Sequence, residues 1–121
     1  MKKKILIIED DKILQSALEE AVSEAGYEVA IASDGDEGVE KAKSEKPDLI
    51  LLDIILPKKN GYNVLLDLSS DNVLKMIPVI VLTVIGSEYS IETCKIAGAK
   101  DYLVKSEYSL AEIVEKIKLN L

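Results

Sequence analysis

Acidic residues follow two of the aliphatic runs of the sequence. Glu9, Asp10 and Asp11 come directly after the first run, and Asp53 ends a later one. If the two runs are neighbouring strands, Glu9, Asp10 and Asp53 lie within several ångströms of one another. At about 5 Å and an effective dielectric constant near 20, each pair of carboxylates repels by roughly 3 kcal/mol. Such a cluster must take up protons or bind a cation.

The absent residue types indicate which cation would bind. The sequence has no histidine and no arginine, and its single cysteine is Cys94. Carboxylate and carbonyl oxygens are therefore the available ligands, and they suit Mg²⁺ or Mn²⁺. Mg²⁺ held by few carboxylates keeps water positions that a phosphoryl oxygen can take. Any bound phosphate must otherwise be met by lysine, backbone N–H groups or hydroxyls.

A hydroxyl and an ammonium group follow two further aliphatic runs. Thr83 ends the fourth predicted strand, and Lys105 follows the fifth. Alone, each is an ordinary surface or strand residue, but beside a metal site they supply what a bound phosphoryl group requires. The structural interpretation of the acids is that Asp10 or Asp11 caps a helix and Asp53 caps a loop. That interpretation suits any one acid but explains the set poorly.

Short runs of isoleucine, valine and leucine alternate with segments of helical spacing. Four runs lack alternating polar residues, which favours strands covered on both faces, and the run at 27–32 alternates like an edge strand. The predicted strands are residues 4–8, 27–32, 48–52, 78–82 and 102–104. The predicted helices are residues 13–25, 36–45, 61–69, 87–97 and 110–121, with Ser33 or Asp34, Asn60, Ser87 and Ser109 as N-caps.

Strand and helix alternate five times over nearly the whole chain. Alternation with short connections predicts a doubly wound α/β sheet, and residues 1–121 are expected to form one domain. In an open parallel sheet the functional site lies at the carboxyl ends of the strands, which is where the acids, Thr83 and Lys105 fall. The pattern does not decide between helix and loop for residues 69–76.

Composition excludes several classes of function. A formal net charge of −7 disfavours nucleic-acid binding. The segment from Glu9 to Lys12 has no glycine, which excludes dinucleotide and P-loop sites there. No apolar run approaches the roughly 20 residues of a membrane-spanning helix, and residues 5–8 are too few for a signal peptide. We therefore expect a cytoplasmic protein without membrane insertion, and the lone cysteine agrees with a reducing compartment.

The sequence resembles the receiver domain of two-component response regulators over essentially its full length. Five features carry the resemblance, and each is weak alone but specific in this order and spacing. They are the pair Glu9 and Asp10, Asp53, the Leu-Pro-Lys-Lys-Asn-Gly segment at 56–61, Thr83, and Ala97-Gly98-Ala99 before residues 101–105. The resemblance implies a flavodoxin-like fold of five parallel strands in the order 2-1-3-4-5 with five flanking helices.

The resemblance also implies a role for each acidic residue. Asp53 would be the phosphoacceptor and would become an aspartyl phosphate. Asp10 and Asp53 would bind Mg²⁺, or Mn²⁺, directly, with the backbone carbonyl of Ile55 as a third ligand. Glu9 would reach the ion through water.

The remaining site residues would bind the phosphoryl group or change position in response to it. Lys105 would pair with the phosphoryl oxygens. The Thr83 hydroxyl and the Val84 backbone N–H would hydrogen-bond to them once Asp53 is modified, and Tyr102 would then swing inward.

The resemblance implies a switch that depends on partners. Because the chain has no histidine, the phosphoryl group must come from a sensor histidine kinase, a His-phosphotransfer protein or a small acyl phosphate. The site is its own substrate, so the chain is expected to be a switch and not a turnover enzyme. Helix 87–97, strand 100–104 and helix 109–120 form the implied surface for an effector or a dimer. A stand-alone domain that signals by contact is expected.

Three departures from the family pattern are present: Ser106, Val84, and the apolar residues Ile55 and Ile85 that flank the site. Ser106 replaces the usual proline after Lys105, and a cis bond there would cost about 2.5–4 kcal/mol, so we expect a trans bond. Val84 is larger than the usual small residue, which would narrow phosphoryl access. These departures leave open a protein-interaction module that works without phosphorylation. A phosphatase with an aspartate nucleophile is a third hypothesis, but its second carboxylate is missing because Ile55 occupies that position.

Overall fold

A computed structural model describes residues 2–121 as strands and helices that alternate along the chain. The strands are β1 (Lys4–Ile8), β2 (Glu28–Ala32), β3 (Leu49–Leu52), β4 (Val79–Thr83) and β5 (Asp101–Val104). The helices are α1 (Lys12–Glu24), α2 (Gly35–Glu45), α3 (Gly61–Ser69), α4 (Glu88–Ile96) and α5 (Leu110–Asn120). The observed bounds lie within one residue of the predicted ones.

The five strands form one parallel sheet in the order β2-β1-β3-β4-β5, which confirms the predicted fold. The three central strands, β1, β3 and β4, are almost entirely buried. Their unbroken aliphatic character follows from this, because helices cover both faces of the sheet. The strand predicted to lie at an edge, β2, does so and is only partly buried.

Two apolar clusters, one on each face of the sheet, form the core. One contains Leu6, Leu52 and Val81 with residues of α2, α3 and α4. The other contains Ile7 and Ile80 with residues of α1 and α5. Alternate residues of each central strand therefore serve opposite clusters, as the twofold period of a strand requires.

Side-chain caps begin all five α-helices in the described residues. The caps of the last four are Asp34, Asn60, Ser87 and Ser109, as predicted, and Ser109 forms a reciprocal capping box with Glu112. The cap of α1 is Asp11, which accepts from two backbone N–H groups. The interpretation of Asp11 as a helix cap is therefore correct.

The stretch that the sequence left undecided, residues 69–76, contains the end of α3 and a 3₁₀ helix, Leu74–Met76. Asp71 starts this turn by accepting hydrogen bonds from the N–H groups of Val73 and Leu74. These bonds lower the pKa of the Asp71 carboxyl. Leu74 is thereby held in the core while Val73 is exposed.

We expect Ile80→Ala to destabilise the chain by about 2–5 kcal/mol, because Ile80 is fully buried on central strand β4 and its loss leaves a cavity. Urea unfolding followed by circular dichroism measures the change. The matched control is Val73→Ala at a position that is 75% exposed, where we expect a change within about 0.5 kcal/mol. Equal costs for the two substitutions would contradict the described core.

Candidate functional site

The carboxyl edge of the sheet brings the ends of β1 and β3 together. Ile8 pairs with Leu52, and the N–H of Asp53 donates to the carbonyl of Ile8 at 3.1 Å. The residues that follow these strands are buried, with Glu9 only 2% exposed and Asp53 only 5% exposed. The predicted convergence of the two acids at this edge is confirmed.

Three carboxylates form a cluster at this edge. Glu9, Asp10 and Asp53 each offer one oxygen atom, and these atoms lie within 4.8 Å of one another. Asp10 is exposed, so the cluster opens to solvent on that side. A set of carboxylate oxygens without imidazole or thiolate neighbours fits a hard divalent cation. The predicted acidic site is therefore one that could hold a metal ion.

Lys105 joins the two buried acids. Its Nζ lies 2.7 Å from Oδ2 of Asp53 and 2.9 Å from Oε1 of Glu9. The described peptide bonds are all trans, including the bond from Lys105 to Ser106. The absence of the usual proline therefore does not prevent the ammonium group from reaching the carboxylates.

For both Glu9 and Lys105, burial and ion pairing shift the pKa in opposite directions. Burial raises the pKa of Glu9, and the nearby charge of Asp53 adds to this; hydrogen bonds from Lys105 and the Asp11 N–H offset only part of the rise. Burial lowers the pKa of Lys105, but its hydrogen bonds with Asp53 and Glu9 outweigh that effect, so the pKa is raised. The ammonium form of Lys105 is therefore favoured next to carboxylates that repel each other.

Thr83 lies at the end of β4 with an unused hydroxyl. The residue is fully buried, and its Oγ1 has no hydrogen-bond partner. Buried polar atoms are nearly always paired, so this hydroxyl is free to bind a water molecule or a ligand oxygen. The adjacent Val84 side chain is 62% exposed, so its bulk is directed largely to solvent.

The loop after β3 orients the Asp53 carboxylate. The N–H of Ile55 donates to Oδ1 of Asp53 at 3.1 Å. Gly61 begins α3 so close to the strand end that a Cβ atom would lie 2.0 Å from the carbonyl oxygen of Asp53. Gly35, at the start of α2, is pressed equally closely against the carbonyl of Lys59. Two glycines thus let the loop pack against both helices.

Tyr102 is buried in the structure. The resemblance implies that it swings inward after Asp53 is modified, yet in the unmodified chain it is already inward and only 8% exposed. Its hydroxyl donates to the carbonyl of Ile85 at 2.6 Å and lies 2.8 Å from Oγ of Ser90. Burial raises the pKa of this hydroxyl. Satisfied hydrogen bonds are the physical reason that the inward position needs no phosphoryl group.

Gln15 is a supporting residue that the sequence did not reveal. Its side-chain amide donates to the backbone carbonyl of Glu9 at 2.7 Å and to Oγ of Ser33 at 3.1 Å. Lys12 donates to the same Ser33 hydroxyl at 2.7 Å. These bonds fix the turn that carries Glu9 and Asp10. A lone glutamine on a helix gives no signal for this role, because its partners are 6 and 18 residues away.

Gly61→Ala is expected to displace the backbone at Asp53, because the added methyl group cannot fit beside the Asp53 carbonyl. We expect a loss of about 1–3 kcal/mol of stability or more, together with a loss of Mg²⁺ binding measured by calorimetric titration. The control is Gly86→Ala, where the nearest atoms to a Cβ lie at 3.6 Å, an ordinary contact. Normal metal binding by Gly61→Ala would show that this approach is not needed.

Replacing Gln15 with leucine removes both of its hydrogen bonds while nearly keeping the side-chain size. We expect Mg²⁺ to bind roughly 2- to 10-fold more weakly, because the Glu9 turn loses about one net hydrogen bond of support. Backbone amide shifts in an NMR titration report the affinity. Ser16→Ala changes the neighbouring exposed residue and should bind as the unaltered chain does. Equal affinities in both variants would refute the supporting role of Gln15.

None of the helices described in residues 2–121 is both long enough and apolar enough to cross a membrane.

Comparisons with known proteins agree with this geometry. The sequence model of the response regulator receiver domain matches residues 5–118. The alkaline phosphatase synthesis transcriptional regulatory protein PhoP of Bacillus subtilis is 37% identical over 118 residues, which cover 98% of this chain and 48% of the relative. The chain spans about half the length of the curated relatives it matches.

Solved structures share the fold closely. The chemotaxis protein CheY4 of Vibrio cholerae superimposes with a TM-score of 0.93 at 26% identity, covering 100% of both chains. The Mn²⁺-bound form of response regulator Rcp1 gives a TM-score of 0.85 at 32% identity and covers 96% of this chain and 91% of that one. Together with the family match and the acidic site, these likenesses show that the chain belongs to the response regulator receiver domain family.

Proposed function

We propose that this chain is a phosphorylation-activated switch that accepts a phosphoryl group on Asp53. The observation that carries the proposal is the buried Asp53 carboxylate, which has the Lys105 ammonium at 2.7 Å and is grouped with Glu9 and Asp10. Receiver domains are signalling switches and not turnover enzymes. In this proposal the chain also catalyses its own phosphorylation and dephosphorylation.

Asp10, Asp53 and the backbone carbonyl of Ile55 would hold a Mg²⁺ or Mn²⁺ ion directly, and Glu9 would do so through water. Such an ion neutralises charge on the carboxylates and the incoming phosphoryl oxygens. The donor set of this chain and the Mn²⁺ in the related Rcp1 structure support the assignment.

The residues of the chain have distinct tasks in the transfer. A carboxylate oxygen of Asp53 attacks phosphorus, the bond from phosphorus to the donor nitrogen or acyl oxygen breaks, and the leaving group keeps that electron pair. The Ile55 N–H donates to Oδ1 of the same carboxylate and thereby keeps the carboxylate oriented. Phosphoryl transfer depends mainly on alignment and charge neutralisation, which these fixed contacts provide.

After transfer, the phosphoryl oxygens replace carboxylate oxygens as the partners of Lys105. The orphan Thr83 hydroxyl and the Val84 backbone N–H would bind the same group. Closing on it moves the loop after β4, and the phosphoryl group thereby favours one of two packings of α4, β5 and α5. We propose that this surface contacts an effector protein and can form a dimer.

The donor would be a sensor histidine kinase or a His-phosphotransfer protein, because receiver domains act with kinases and effectors and this chain has no histidine. A role in nucleic-acid binding by this domain is not proposed, given its net charge of −7. We place the switch in the cytoplasm on the basis of its single, unpaired Cys94.

Acetyl phosphate with Mg²⁺ tests the proposal directly. We expect intact mass spectrometry to show one added phosphoryl group, which Asp53→Asn and removal of Mg²⁺ by chelation both abolish. The control is Asp11→Asn, because Asp11 only caps α1 and asparagine caps equally well. That variant should gain the phosphoryl group normally.

Other outcomes would identify a different function. No mass increase in the unaltered chain would contradict the switch and favour an interaction module that works without phosphorylation. Steady release of phosphate from many phosphate esters would instead favour a phosphatase, although Ile55 supplies no second carboxylate.

A further inference from the structure

The hydroxyl of Tyr102 is held by two different parts of the chain. It donates to the carbonyl of Ile85, in the loop after β4, at 2.6 Å. It lies 2.8 Å from Oγ of Ser90, in the first turn of α4. Tyr102 itself belongs to β5, so this one hydroxyl links three segments on the proposed output surface.

The direction of each hydrogen bond follows from the donor inventory. A tyrosine hydroxyl has one hydrogen, and a carbonyl can only accept, so the Tyr102 hydrogen goes to Ile85. The Ser90 hydroxyl must then donate to the Tyr102 oxygen. Ser87 caps α4 by accepting from the Ser90 N–H at 3.2 Å, which fixes the turn that presents Ser90.

The loop that Tyr102 fastens is the one that follows Thr83. Ile85 lies two residues beyond Thr83, whose hydroxyl is the orphan atom at the acidic site. The inward position of Tyr102 in the unmodified chain therefore ties down the segment that phosphorylation is proposed to move. Ring burial contributes to this position, but the second hydrogen bond depends on Ser90 alone.

We propose that Ser90 is a positioning residue that holds the Tyr102 ring inward, and with it the loop after β4, before phosphorylation. This inference rests on the proposed function, since it concerns the regulation of the same site. One net hydrogen bond shifts an equilibrium roughly 2- to 12-fold. Without Ser90, the inward state would be less populated at rest, and phosphorylation would produce a larger change.

Ser90 can be altered without disturbing the core. It borders a cavity of about 240 Å³ with Tyr89, Thr93 and Cys94, and it is only partly buried. Alanine at this position therefore removes the hydroxyl with little loss of packing. Thr93 lines the same cavity on the same helix, and the described hydrogen bonds of the Tyr102 hydroxyl go to Ser90 and Ile85 instead, so Thr93→Ala is the matched control.

NMR of isotope-labelled tyrosine rings tests the proposal in the full chain. Five tyrosines are present, and Tyr102→Phe assigns the signal of interest. Beryllofluoride with Mg²⁺, a phosphoryl mimic, marks the fully inward position of that signal. We expect the Tyr102 signal of the unaltered chain to lie close to that position without the mimic.

In Ser90→Ala we expect the ratio of inward to outward Tyr102 to fall roughly 2- to 12-fold, and the mimic to restore it. Ser90→Thr, which keeps the hydroxyl, should behave as the unaltered chain does, and so should Thr93→Ala. Ser90→Ala in a Tyr102→Phe background should not change the affinity for the mimic any further, because the hydroxyl that Ser90 contacts is already gone. In the unaltered chain, cross-relaxation between the Ser90 and Tyr102 hydroxyl protons reads the contact without any variant.

An unchanged Tyr102 signal in Ser90→Ala, with the mimic still binding, would overturn the proposed role of Ser90 and would leave the proposed function standing. Failure of the unaltered chain to bind the mimic would overturn the proposed function instead. Absence of the hydroxyl cross-relaxation would also count against Ser90.

Discussion

Burying Glu9 and Asp53 side by side costs free energy, and the rest of the site depends on how that cost is offset. Lys105 reaches both carboxylates from the end of β5, at 2.9 and 2.7 Å. One ammonium cannot neutralise three acids, so the cluster keeps an excess of negative charge. That excess would favour the binding of a divalent cation. The residues whose burial costs free energy are therefore the same ones that are proposed to accept a phosphoryl group.

The parallel sheet makes this arrangement possible, because the carboxyl ends of all its strands lie at one edge. The register sets the spacing, since Ile8 and Leu52 are direct partners and the acids come next. Close backbone packing at Gly61 then holds the loop that begins at Asp53. The site is thus built from strand order and backbone contact before any side-chain interaction adds to it.

The sequence predicted whatever depends on periodicity and local capping. The aliphatic run of β1 and the cap at Asn60 have unambiguous local signals, and the acids at strand ends follow once the strands are placed. Side-chain arrangements that join distant segments were not predictable. The inward position of Tyr102 depends on Ser90 and on a carbonyl 17 residues away, and neither residue type gives a sequence signal for such a role. The support from Gln15 was not predictable for the same reason, because its partners are also distant along the chain.

The residues that build the acidic site are far apart along the chain: Glu9 and Asp53 are separated by more than forty residues, and Lys105, which pairs with both acids, lies further still. An unfolded chain therefore has no preformed site, and any cation binding would be linked to the folded state by mass action. If the cluster binds Mg²⁺ as proposed, each tenfold rise in free Mg²⁺ above its dissociation constant would add about 1.4 kcal/mol to the free energy of unfolding. The conformational stability of this small domain would then be coupled to the ionic composition of its surroundings, quite apart from signalling.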